Sequence, residues 1–152
     1  MSQLVRMGMG LVLLVGFAAP VSADDDVDSH KIGELLDQMQ TPGSALTEKL
    51  SSIPDDYAAH AQQLEEDFDE ADEAFSEIQL RLFTDDTSAA EQIEQFAEAG
   101  ADSCKDLKRD ARRLEEAADD EDDEQTEQLA EQIQSLAETL KDLFDDVEDE
   151  VD

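Results

Sequence analysis

The chain has 152 residues and carries 43 acidic against 10 basic side chains, a formal net charge of −33. That balance argues against nucleic acid and anionic membrane as partners, because phosphate contacts need Lys and Arg; basic protein surfaces and cations are the compatible ones. A single cysteine permits no intrachain disulfide, so any fold must rest on apolar burial.

Residues 1–23 read as a secretory signal peptide. Arg6 supplies the positive n-region, Leu11 to Ala19 the apolar h-region, and Val21-Ser22-Ala23 a small-residue cleavage site. The apolar run is short and interrupted by glycine for a bilayer span, which leaves an uncleaved membrane anchor as the alternative, and no cysteine adjoins it for lipid attachment. The expectation is an exported protein, periplasmic or secreted, whose mature chain is one acidic helical-bundle domain over 24–152. All 43 acids fall in that segment against nine bases, a net of −34. Such a charge also suits a saline medium, where screening over about 8 Å or less reduces self-repulsion.

After Asp24-Asp25-Asp26, Ser29 is placed to cap a helix whose apolar stripe is Ile32, Leu36 and Met39, with Leu35 beside it. The stripe resumes at Leu46, Leu50 and Ile53, but Thr41-Pro42-Gly43-Ser44 intervenes. Proline removes a helical hydrogen bond and glycine weakens the helix further, so a break is expected there, with Ser44 capping a second short piece. Pro54 suits a first helical turn, and Asp55 and Asp56 follow where the helix dipole favours acids. Tyr57, Ala61, Leu64, Phe68, Ala71, Phe75, Ile78 and Leu82 then recur at helical spacing, a seam about 39 Å long. A polar turn at Thr84–Thr87 leads to Ser88 and Glu91, the two halves of a capping box.

The third seam is the most regular. With Ile93, Gly100, Leu107 and Leu114 at the d positions of a heptad, the a positions are all small: Ala90, Ala97, Cys104, Ala111 and Ala118. Small residues admit bulky knobs from neighbouring helices, and Phe68 and Phe75 are the expected knobs. Six consecutive carboxylates, Asp119 to Glu124, predict a turn, since no apolar position bridges Ala118 to Leu129. The last seam reads Leu129, Ile133, Leu136, Leu140, Leu143 and Val147, and the acidic end Glu148–Asp152 opposes the helix dipole.

No strand-like alternation occurs anywhere, and the sustained periodicity counters the disorder that high net charge would otherwise suggest. The predicted fold is all-α, an antiparallel up-down-up-down four-helix bundle. The alternative is a three-helix coiled coil with a loose N-terminal hairpin.

Few residues point to chemistry. Cys104 fits as a small core residue; Lys105 and Lys108 nearby would favour its thiolate and a redox or interchain role. Lys105, Lys108, Arg109, Arg112 and Arg113 form the basic cluster. It serves either as an anion or partner patch or as internal compensation for acids of adjacent helices such as Glu65, Glu66, Asp67, Asp69 and Glu70. The acidic run lacks the glycine and spacing of a calcium loop, and no His/Cys set has transition-metal spacing. No Ser–His pairing or glycine-rich phosphate loop is present, so neither a catalytic nor a metal site is expected.

Phe96-Ala97-Glu98-Ala99-Gly100-Ala101-Asp102-Ser103-Cys104-Lys105, preceded by Ala74-Phe75 and Ile78, resembles the final helix pair of cytochromes c′. That family approaches its haem-binding Cys-x-x-Cys-His through a Phe…Gly…Ser-Cys-Lys stretch, in an exported four-helix bundle. Here Leu107 stands at the second cysteine and Lys108 at the haem-ligating histidine, so the resemblance implies a bundle that has lost covalent haem. Non-covalent haem, as in the similar cytochrome b562 architecture, would draw on Met39 and His60 beside Cys104. The expected function is therefore that of a non-enzymatic acidic bundle that binds a basic protein surface or cations, without a cofactor. The alternative is a haem or redox protein.

Overall fold

A computed structural model describes residues 29–82 and 89–151. The signal-peptide reading of 1–23, the Thr84–Thr87 turn and the Ser88 half of the capping box lie outside those residues. The described chain forms α1 (Ser29–Ser51), α2 (Ala58–Leu82), α3 (Ala89–Asp120) and α4 (Glu124–Val151), with a single 3-10 turn at Asp55–Tyr57 between the first two. At 1.5 Å per residue, α3 is about 48 Å long and α4 about 42 Å.

Contacts at the two ends give the helix directions. Lys31 at the start of α1 pairs with Glu150 at the end of α4. Arg81 at the end of α2 donates to Gln92 near the start of α3 at 3.0 Å, and its guanidinium lies 4.9 Å from the centre of the Phe96 ring. Tyr57, just before α2, donates to Asp123 between α3 and α4 at 3.3 Å. Each sequential pair thus runs antiparallel, with α1 also packed on α4, and the molecule is a four-helix bundle. Among the described residues no helix is long and apolar enough to cross a membrane.

The expected break at Pro42 does not occur. α1 runs through it, and Ser44 is an exposed interior residue of the helix rather than a cap. Pro42 and Gly43 lie on the buried face between Met39 and Leu46, both fully enclosed. Continuous burial of that stripe outweighs the interior proline, which costs about 3 kcal/mol, because Ile32, Leu36, Met39, Leu46 and Leu50 are all buried and each such side chain contributes about 1.5–3 kcal/mol. With α1 seated on α4, the alternative of a loose N-terminal hairpin falls.

The acidic run does form the expected turn. Asp122 adopts φ 55°, the amide of Asp123 donates to the carbonyl of Ala118 at 2.9 Å, and that of Asp122 to Asp119 at 3.1 Å. This is a Schellman ending with an aspartate where glycine is usual. Asp123 then caps α4: its carboxylate accepts from the Thr126 amide at 3.1 Å and hydroxyl at 2.7 Å. Those two donors hold the Asp123 carboxyl below its usual range.

α4 faces the core differently from the expected seam. Ala130, Ala137 and Phe144 are fully enclosed, whereas Leu129 and Leu136 are only partly buried. The reason lies in α3. A Cβ built on Gly100 would come within 2.5 Å of the Phe144 ring, so the missing side chain is the notch that receives that ring. Phe144, and not Phe68 or Phe75, fills the notch, although those two are buried as well. In the antiparallel register set by Gly100 against Phe144, Cys104 falls level with Leu140, Leu107 with Ala137, Ala111 with Ile133 and Leu114 with Ala130. Small meets large at each of these levels, which is how two helices fill a shared layer without voids.

Candidate cation-binding surface

The basic cluster is engaged within the bundle. Lys105 pairs with Asp102 at 3.0 Å, Arg109 with Asp106 at 2.9 Å, Arg113 with Asp110 at 2.9 Å and Arg112 with Glu116 at 3.7 Å. These are three- and four-residue spacings on α3 itself, the neighbours that helix geometry provides. Lys108 instead reaches across to Glu138 on α4 at 2.6 Å. Compensation was expected from acids of adjacent helices, and Lys108 with Glu138 of α4 is such a pair; the others form within α3, because a base on a helix surface meets its own next turn first. Elsewhere Lys141 pairs with Asp145 at 2.7 Å and Arg81 with Glu77.

Cys104 is fully enclosed, at the a position expected for it. Burial, with the Asp145 charge adding, pushes its thiol up to about 12, against the opposing effect of Lys141. Lys105 and Lys108 point their charges at Asp102 and Glu138, so they do not supply the thiolate stabilisation that a reactive cysteine requires. Met39 is fully enclosed in α1, and His60 is half-buried near the start of α2. Counted along antiparallel helices from the α1–α2 connection, they differ in height by about 15 Å. The fold therefore does not bring Met39 and His60 to one level.

Acids, by contrast, converge on one another. Glu115 of α3 and Glu127 and Glu131 of α4 place carboxylate oxygens within 4.8 Å of each other. Gln134 donates to Glu115 beside them. Partial desolvation raises the Glu127 carboxyl above its usual range, and the charges that add to this are all acidic: Asp119, Glu131, Glu115 and Glu124. The adjoining turn forms an open cleft of about 410 Å³ lined by Asp119, Asp122, Asp123, Glu124, Gln125 and Glu127. Three carboxylates at this separation match the hard oxygen ligands that calcium and magnesium take. These three residues were not singled out from the sequence, where Glu115 is twelve residues from Glu127 among many other acids. Only the Schellman turn folds α4 back so that they meet.

Two further acids are buried. Asp67 of α2 is 6% exposed and Asp110 of α3 is 4% exposed, and they face each other across the α2–α3 interface. Both lie one residue outside the seams read from the sequence, so periodicity alone assigned them to the solvent side. They are in the register of Arg81 against Phe96, two heptads away along each helix. No protein-family model matches the chain, and no curated protein or solved structure matches it either.

Proposed function

We propose that this is an exported, non-enzymatic bundle that acts by binding cationic partners, either a basic protein surface or cations. The observation that carries the proposal is the meeting of Glu115, Glu127 and Glu131, where the charges acting on Glu127 come from acids alone. The cluster Lys105–Arg113 supports it from the other side. Those bases are engaged by Asp102, Asp106, Asp110, Glu116 and Glu138 rather than by Glu115, Glu127 and Glu131. A cation or a basic surface settling at the α3–α4 turn relieves repulsion that the fold itself creates. Export, to a periplasm or to the medium, goes with the reading of residues 1–23.

Calorimetric titration of the mature protein with calcium, magnesium and a short oligolysine, in salt of about 0.15 M, tests this. Saturable uptake of a divalent ion is expected, weakened about tenfold or more by the triple variant Glu115→Gln, Glu127→Gln, Glu131→Gln, since two or three carboxylates carry such sites. Oligolysine binding should persist in that variant and weaken with added salt. Absence of saturable uptake of all three probes would overturn the proposal.

A further inference from the structure

Among the described residues, Asp67 and Asp110 are the acids buried to less than a tenth of their surface. Their surroundings are unequal. Asp110 Oδ1 accepts from Arg113 Nη1 at 2.9 Å and lies 3.7 Å from Arg109 Nε. Asp67 Oδ1 accepts from Gln63 Nε2 at 3.3 Å, one turn earlier on its own helix. Asp67 Oδ2 is fully enclosed and receives no hydrogen bond, while the carboxyl group meets Asp110 across the interface. The other acid acting on Asp67 from α3 is Asp106, itself paired with Arg109 at 2.9 Å, and no group of α1 is among those acting on it. An ionised Asp67 here would set a lone pair against a second carboxylate in an apolar interface, with no donor of the protein on the enclosed oxygen. Buried unpaired charge and like charges at hydrogen-bonding distance are both strongly unfavourable.

One proton removes the conflict. We propose that Asp67 and Asp110 form a proton-sharing clasp between α2 and α3, with the proton on Asp67 Oδ2 donated to Asp110, so that the helix pair tightens when the proton is present and loosens when it leaves. The arrangement satisfies the enclosed oxygen and turns a like-charge contact into a charge-assisted hydrogen bond. It also explains why Arg109 and Arg113 engage Asp110 rather than Asp67: the carboxylate that accepts the shared proton is the one whose charge is balanced.

The pH range follows from the environment of Asp67. Burial first, then the hydrogen bond and charge of Asp110, push its carboxyl up to about 7, with Gln63 opposing and Asp106 adding. In the unfolded chain the group titrates near 3.9. Between about pH 4 and 7 the folded protein therefore holds a proton that the unfolded chain has lost. Stability from this pair is full below about pH 4, falls as pH rises through that interval, and is gone above it. The clasp is thus tightest in acid medium, and the α2–α3 seam is the part that yields as pH rises towards neutrality.

The test is thermal unfolding of the mature protein between about pH 5 and 8 at fixed salt of about 0.15 M, with two variants. Asp67→Asn replaces the titrating donor with a permanent one. It should lack the wild-type loss of stability with pH, so that its advantage over the wild type widens steadily from the acid end to the alkaline end. Glu66→Gln removes the same charge from the exposed side of α2 without touching the groups that act on Asp67, and should keep the wild-type pH slope. Parallel curves for wild type and Asp67→Asn would overturn the proposal. Carboxyl-carbon NMR on the wild type gives a reading that needs no variant. The Asp67 side-chain carbon should titrate near neutral pH, and a midpoint below about pH 5, where ordinary carboxylates finish, would equally overturn it.

Discussion

Gly100 shows how a single missing side chain directs packing. A helical glycine ordinarily costs about 1 kcal/mol against alanine, so Gly100→Ala would be expected to stabilise α3 if backbone propensity decided the matter. The new Cβ, however, would lie within 2.5 Å of a Phe144 ring that is itself fully enclosed and has nowhere to swing. Overpacking costs about 1–3 kcal/mol, so the variant should lose about 1 kcal/mol net. Pairing it with Phe144→Leu should recover part of that loss, although Phe144→Leu alone opens a void and destabilises. If Gly100→Ala melts higher than the wild type, the notch is not occupied as described. Cys104, at the next small position of the seam, is inert for a related reason. Its burial opposite a large aliphatic leaves the thiol up at about 12, beyond the range where a thiolate forms in neutral medium.

At the scale of the element, the ends of the helices decide more than their middles. α3 stops where it does because Asp122 turns left-handed at φ 55° and its neighbours close the Schellman hydrogen bonds. A left-handed L-residue costs about 1–2 kcal/mol, somewhat less for Asp or Asn. Asp122→Gly should therefore raise stability by about 0.5–1 kcal/mol, while Asp122→Ala should lower it although both remove the same charge. Urea unfolding of the two variants separates backbone strain from charge; equal shifts would assign the effect to charge alone. α1 makes the complementary point. Its proline and glycine are strong breaking signals, yet the helix persists because its apolar stripe continues on both sides and α4 supplies the surface that buries it.

For the whole molecule, the balance is between an enclosed apolar core and a surplus of carboxylates. Like charges at i,i+4 each cost a few tenths of a kcal/mol. Summed over many pairs, this is comparable with the about 5–15 kcal/mol net stability of an ordinary domain. Bases that pair within α3 relieve the helix they belong to and leave clusters such as Glu115, Glu127 and Glu131 uncompensated. Salt weakens these repulsions and leaves apolar burial intact. The melting temperature should rise from low to high sodium chloride, and rise further in magnesium chloride at equal ionic strength. A flat or falling series, followed by circular dichroism, would mean that the acids are locally balanced throughout.

The helical class, the positions of α2 and α3, the turn within the acidic run and the burial of Cys104 were all legible in the sequence. Each depends on periodicity or turn chemistry within one segment. Ile93, Leu107 and Leu114 mark their own face of α3 whatever packs against it. Tertiary structure alone decided what depends on two segments at once. The continuity of α1 at Pro42 needed the face of α4. The rotation of α4 that buries Phe144 and Ala137 ahead of Leu136 needed the notch at Gly100. The meeting of Glu115 with Glu127 and Glu131, and of Asp67 with Asp110, needed the antiparallel register of neighbouring helices. A heptad pattern states which face of a helix is apolar, but an acid at the edge of that face is buried or exposed according to what lies across from it.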